Sequence, residues 1–278
     1  MLLRWIDENI LSLGRELRLS YLPPLMVYIA FGISGLAGIV GTFFVKDHLS
    51  LSAASLAALA FWAGIPFVLK MPIGHLVDLI WRWKSWLVFL GAGLIAASLL
   101  IMVGLLSDRD AMTAVMSADA WFVLSVLLAP VGYVIQDVVA DAMTVEAVPR
   151  VDADGRPIDQ ASRKLMNTTM QTLGRVAVIG GLALVAAINL YVFSGTGSLS
   201  PAEKAALYRN VYLIALFIPL ISVLGVAFAW LLARRDLARL VARGVDPARA
   251  RELLAVREER PAPDWWILGG SAVFVALT

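Results

Sequence analysis

Four ionisable side chains, Lys70, Asp137, Asp141 and Arg175, interrupt stretches that are otherwise apolar. An ionisable group in hydrocarbon costs about 2.5–3.5 kcal/mol on insertion scales, so each one needs a partner, water or a ligand. Tyr133, Asp137 and Asp141 recur at intervals of four with Thr144 close beneath, and Asn167, Gln171 and Arg175 do the same further on. Residues four apart share a helix face. The spacing therefore predicts two polar stripes of opposite sign on consecutive helices, suited to a pair such as Asp141–Arg175. Such a pair either ties two helices together or forms a substrate or proton site. Lys70 lies between Pro66 and Pro72, which remove backbone donors and loosen the helix around it. A cation held there could bind the carboxylate of an anionic solute, or neutralise Asp137. Tyr28 could offer a hydroxyl or a stacking face, although packing is the favoured reading of it.

Other chemistries find little support. The sequence has no cysteine, which removes disulfides, thiol nucleophiles and thiolate metal sites. His48 and His75 stand far apart with no motif joining them, so no metal site is expected. No paired carboxylates with a nucleophile and no phosphate loop occur, so no catalytic residue, no cofactor and no enzymatic activity are expected. A net charge of +2 without a basic, aromatic-studded stripe argues against nucleic acid as a partner.

The elements that hold these residues follow from composition. Hydrophobic residues make up 60% and charged residues 16% of the 278, with a mean hydropathy of +0.81. Soluble domains carry about 45–50% apolar and about 25% charged residues, so the excess must face a lipid bilayer. A crossing helix needs about 20 apolar residues. Six stretches qualify, at 22–44, 53–77, 86–106, 120–145, 165–188 and 211–232. A seventh apolar run, 265–278, reads as the start of a further span, so the sequence reads as truncated. The third and sixth stretches carry no charge, which predicts that they pack outside while the second, fourth and fifth face a polar interior. Glycines 32, 35, 38 and 41 in the first stretch have the spacing of a close helix contact.

Orientation comes from lysine and arginine. With the N-terminus inside, three fall before the first span, two between the second and third, four between the fourth and fifth, and eight after the sixth. That places seventeen of the 23 in the cytoplasm and four outside, the other two lying within spans. The expected location is a cytoplasmic (inner) membrane with a cytoplasmic N-terminus. Residues 1–20 read as an amphipathic segment on the inner surface, 21–232 as the six-helix bundle, and 233–264 as a charged linker. Within the linker, Asp246 and Pro247 signal a helix start after a break at Gly244.

Between the second and third stretches, Gly74, an apolar run, Asp78 and then Arg82 and Lys84 resemble the loop signature of the major facilitator superfamily, with Trp81 and Trp83 as departures. The resemblance implies a cytoplasmic gate formed by Gly74, Asp78 and Arg82, with Glu146 completing the charge cluster. Phe43, Phe44, Lys46 and Asp47, then Phe67, Lys70 and Pro72, are similar to the first two helices of the folate–biopterin transporter branch. The run 136–146 has an Asp at 137, a second at 141 and a Glu at 146, and it resembles that branch's fourth-helix motif. These likenesses imply an all-α fold of two inverted three-helix repeats, the N-terminal half of a twelve-helix transporter. They also imply a small, anionic, pterin-like or other organic solute, and a symport mechanism that could involve protons. Site candidates are then Lys70, Asp137, Asp141, Arg175, Gln171, Tyr133 and Tyr28. The alternatives are a proton-coupled exporter or sugar carrier, or a non-transporting assembly factor.

Overall fold

A computed structural model describes residues 14, 16–49, 51–80, 83–152, 156–254 and 262–277. Those residues fold as helices, with one isolated bridge between Val151 and Pro157. Six helices are long and apolar enough to cross a membrane: α1 Leu19–Lys46, α2 Ala53–Leu79, α3 Ser85–Ser107, α4 Ala118–Ala147, α5 Gln160–Ser198 and α6 Pro201–Ala242. A shorter apolar helix, α7, covers Trp265–Leu277. The bundle is an all-α membrane fold. Arg82 and most of the 1–20 segment lie outside the described residues, as do 255–261 of the linker.

Several helix ends follow local chemistry. α6 starts at Pro201 instead of near 211, because Ser200 and Glu203 form a reciprocal capping box and Pro201 takes the first helical position. Asp159 caps α5 by accepting from the Ser162 N–H at 2.9 Å, so this helix begins earlier than its apolar stretch. At the far end of α6, Gly244 adopts a left-handed φ of 85°. Its N–H reaches Val241 O, and the Val245 N–H reaches Leu240 O, which stops the helix. Asp246 then accepts from the Ala248 and Arg249 N–H groups to start the short helix Pro247–Leu254.

Between helices, small residues let backbones meet, as expected where lipid supplies no hydrophobic drive. A Cβ at Gly91 would sit 2.8 Å from Gly132 O, and one at Gly132 would sit 2.6 Å from Gly91 O. This pins α3 to α4. The Ser98 and Ser125 hydroxyls, 3.0 Å apart, tie the same two helices deeper down. Gln136, 1% exposed, accepts from the Ser222 hydroxyl at 3.0 Å and so links α4 to α6.

α4 is the most enclosed span, with 50% of its most apolar stretch buried, followed by α6 at 44% and by α1 and α3 at 39% each. α2 and α5 are buried to only 6% and 17%. Within this bundle the uncharged third and sixth spans are enclosed by their neighbours, while the charge cluster draws on α1, α2 and α4 and takes no residue from either of them. Uncharged helices can press against neighbours on several sides, whereas α2 and α5 sit at its edge.

Three spans are interrupted. α1 changes to a 3-10 turn over Ile33–Ala37, α6 breaks at Leu216 just before Pro219, and α2 breaks at Leu69. The ends of the helices alternate as a meander requires. One cavity is lined by Arg18 at the start of α1, Arg150 just past α4, Ser162 on α5 and Arg239 on α6. Another, at the opposite end, is lined by Lys46, Leu51, Met102, Phe122 and Tyr212.

Which end is cytoplasmic can be read by labelling, and the absence of native cysteine makes the background clean. Cysteine introduced at the exposed Ser107 or Ser198 is expected to react with an impermeant thiol reagent from outside intact cells. Cysteine at the exposed Ala248 is expected to stay unlabelled until the membrane is opened. The reverse pattern overturns the arginine-based orientation.

Candidate functional site

Pro66 and Pro72 donate no backbone hydrogen bond, so the carbonyls of Trp62 and Val68 lose their usual helical partners. The helix yields at Leu69, whose φ and ψ are −80° and 7°, and resumes at Lys70. The lysine lies about 14 Å from the Leu79 end of α2 at 1.5 Å per residue, too deep for its ammonium to snorkel freely to water. It turns instead to α4. Lys70 Nζ lies 2.6 Å from Asp137 Oδ2 and 3.0 Å from Asp141 Oδ2. One cation thus clamps both carboxylates of the α4 stripe, which stand one turn apart.

Tyr28 on α1 closes the group by donating its hydroxyl to Asp141 Oδ1 at 2.5 Å. Its ring is held by α5, where a Cβ at Gly174 would come within 2.7 Å of Tyr28 Cε2. Thr144 donates to the Asp141 main-chain oxygen at 2.6 Å. Four helices therefore meet around three charges. The Asp137 side chain is 12% exposed, while those of Lys70 and Asp141 are 41% and 49% exposed. The cluster opens on one side along the edge left by α2 and α5.

The expected pair between Asp141 and Arg175 does not form. Among the described residues Asp141 takes its ion pair from Lys70, and Arg175, which is exposed, makes none. Lys70 reaches both aspartates because the α2 break sets its backbone beside α4, while α5 meets α1 and scarcely touches α4. Gln171 is exposed on the same helix as Arg175. Tyr133, one turn above Asp137, is buried edge-on against Phe31 with ring centroids 6.4 Å apart. It lines the separate cavity of about 840 Å³ at the other end of the bundle, with Ser34 and Tyr212. Of the seven site candidates, the structure gathers Lys70, Asp137, Asp141 and Tyr28, and leaves Tyr133, Gln171 and Arg175 out of that cluster.

Of the four residues expected to form a gate, Gly74 packs on α4, where a Cβ would meet Val138 Cγ1 at 3.7 Å. Asp78 and Glu146 each engage other groups; Arg82 lies outside the described residues. Next to Gly74, His75 Nε2 accepts from the Asp264 N–H at 2.8 Å. This bond ties α2 to the start of α7, which lies along Val68, Met71 and Pro72. Neither His75 nor Gln136 is among the site residues expected from the sequence. Gln136 carried a signal, an amide beside Asp137 in an apolar run; His75 carried none, since its partner is a backbone N–H 189 residues away.

The chain is 27% identical over 229 residues to a folate-biopterin transporter from Synechocystis sp.. It is a multi-pass membrane protein with a transporter among its relatives. The match covers 81% of this chain and 40% of the relative, so the chain spans about two fifths of that protein's length. No family model matches, and no solved structure matches. A transporter relative fits a chain that is not an enzyme.

Proposed function

We propose that this chain is the N-terminal, six-helix half of a secondary transporter for a small organic anion, built on the major-facilitator plan of two inverted three-helix repeats. The observation that carries the reading is the clamp of Lys70 on Asp137 and Asp141, set deep in the bundle at a proline-loosened helix and open on one side. A purely structural ion pair has no need of a second carboxylate. Here one cation faces two, so the group keeps one negative charge in surplus. A solute carboxylate that displaces one of them, Asp141 being the more exposed, meets the Lys70 ammonium. Coupling of that exchange to protons, as in a symporter, is the part of the proposal that the uptake assay below reads.

The pterin- or folate-like solute is suggested by the relative's name and by the 136–146 motif, and the gate role of Gly74, Asp78, Arg82 and Glu146 by the loop resemblance. A second six-helix bundle would cover the edge formed by α2 and α5 and complete the cavity. The inner membrane is the location that the arginine distribution favours.

The test is uptake by cells expressing a reading frame that contains this chain and its continuation. Accumulation of labelled folate, a simple pterin or another organic anion above empty-vector cells, stimulated by an inward proton gradient, is the expected result. Equal uptake with and without the protein across that panel rejects the transport reading and leaves the assembly-factor alternative.

A further inference from the structure

Away from Lys70, where α1 begins, α4 and α6 end and α5 begins, a cavity of about 830 Å³ opens at the membrane boundary. Arg18, Arg150, Arg235, Arg239 and Arg243 line it, against the carboxylates of Glu146, Asp152 and Asp236. The lining is therefore cationic on balance. Arg239 lies 3.8 Å from Asp236, a loose contact. Arg18, Arg235 and Arg243 make no ion pair among the described residues. Favourable interaction with the negative C-terminus of α6 accounts for Arg239 and Arg243. It does not account for Arg18, which comes from another element and reaches the same space.

A second space of about 380 Å³ shares Ser20, Glu146, Ala147, Leu232, Asp236 and Leu254 with the first, so both carboxylates lie where the two spaces join. Apart from Arg251, its remaining walls are apolar, formed by Pro23 and Pro24 of α1, Met143 of α4, and Ala229 and Leu237 of α6. A cationic chamber at the water boundary that continues into an apolar cleft between two spans matches an amphiphile with an anionic head. We propose that this paired cavity binds one anionic phospholipid, its phosphate among Arg18, Arg235 and Arg243 and the start of an acyl chain in the α1–α6 cleft. Basic pockets between transmembrane helices favour anionic head groups on general electrostatic grounds. A free phosphate or solute anion would use the arginines and have no use for the cleft. The inference does not depend on the transport reading, since Lys70, Asp137 and Asp141 take no part in it.

The full chain, purified in a neutral detergent, is titrated with phosphatidylglycerol, phosphatidylcholine or glycerol phosphate, and lipid retention is read by native mass spectrometry. Phosphatidylglycerol is expected to be retained about tenfold more tightly than phosphatidylcholine. Arg235→Gln with Arg243→Gln is expected to weaken that binding by about tenfold to thirtyfold, the scale set by two arginines at an anionic surface. Arg249→Gln removes the same kind of charge outside the cavity, where Arg249 pairs with Glu252 at 2.7 Å, and is expected to leave binding unchanged. Unaltered thermal unfolding of the double variant separates loss of the site from loss of the fold; should it unfold, Arg18→Gln serves in its place. Equal retention of the two lipids overturns the proposal, and so does an equal effect of Arg249→Gln. Competition by glycerol phosphate at the same concentration as the lipid overturns the lipid assignment in favour of a free-anion site.

Discussion

Lys70→Gln is expected to abolish uptake and to lower stability by about 2 kcal/mol, read as thermal unfolding in detergent beside transport in the same cells. Removing one partner of a fully buried ion pair costs about 3–5 kcal/mol because the other charge is stranded. The figure is reduced here because Lys70 and Asp141 are 41% and 49% exposed on the open side of the cluster, so the pair is only partly enclosed and its stranded partner can relax toward that opening. The larger part of the loss falls on Asp137, whose side chain is 12% exposed and 2.6 Å from the ammonium. Lys70→Gln combined with Asp137→Asn removes that stranded charge and is expected to recover most of the stability. Uptake is expected to stay lost, because no cation is left to meet an anionic solute. Recovery of uptake in the double variant would assign Lys70 to structure and sink its role in binding. Arg175→Gln, which breaks no ion pair among the described residues, is expected to change stability by less than about 0.5 kcal/mol.

Gly32→Ala is expected to destabilise the bundle by about 1–3 kcal/mol, the cost of overpacking a tight contact. A Cβ there would stand 2.6 Å from Val178 O and 3.0 Å from Val178 Cα, both backbone atoms that no rotamer change can move aside. The α5 side is equally close, since a Cβ at Gly181 would meet the Gly32 carbonyl carbon at 2.8 Å. Separating α1 from α5 also withdraws Gly174 from the Tyr28 ring and so disturbs the hydroxyl that donates to Asp141. Uptake should therefore fall together with stability. Gly38→Ala is the contrast, with nothing within 4 Å of its added methyl, and it is expected to be neutral within about 0.5 kcal/mol. Differential scanning fluorimetry on the nine native tryptophans reads both variants. Equal melting of the two would mean that the α1–α5 contact is looser than these distances.

Much of the architecture follows from the sequence alone. Length and hydropathy decide the six crossings, because a bilayer demands a continuous apolar run and tolerates no open backbone. The capping box at Ser200 and Glu203 and the stop at Gly244 are equally local, since each rests on residues within one turn. The rarity of charge within apolar runs also singles out Lys70, Asp137, Asp141 and Arg175 before any contact is known, although Arg175 stands outside the cluster.

Partnership is a different matter. Helical spacing says which residues share a face, but not which neighbour that face meets or how far along a neighbour sits. The stripes on α4 and α5 have the right signs and spacing for a pair, yet Lys70 takes both aspartates because α2 breaks at Leu69 and α5 packs on α1. The same holds for the glycine row in α1. All four residues have the spacing of a close contact, while only Gly32 meets another backbone, and Gly38 faces open space. The arginines around the α1–α6 cleft come from segments more than two hundred residues apart, Arg18 at one extreme and Arg243 at the other. Their convergence depends on the angle at which six helices settle, and that angle is set by small-residue contacts summed over the whole bundle.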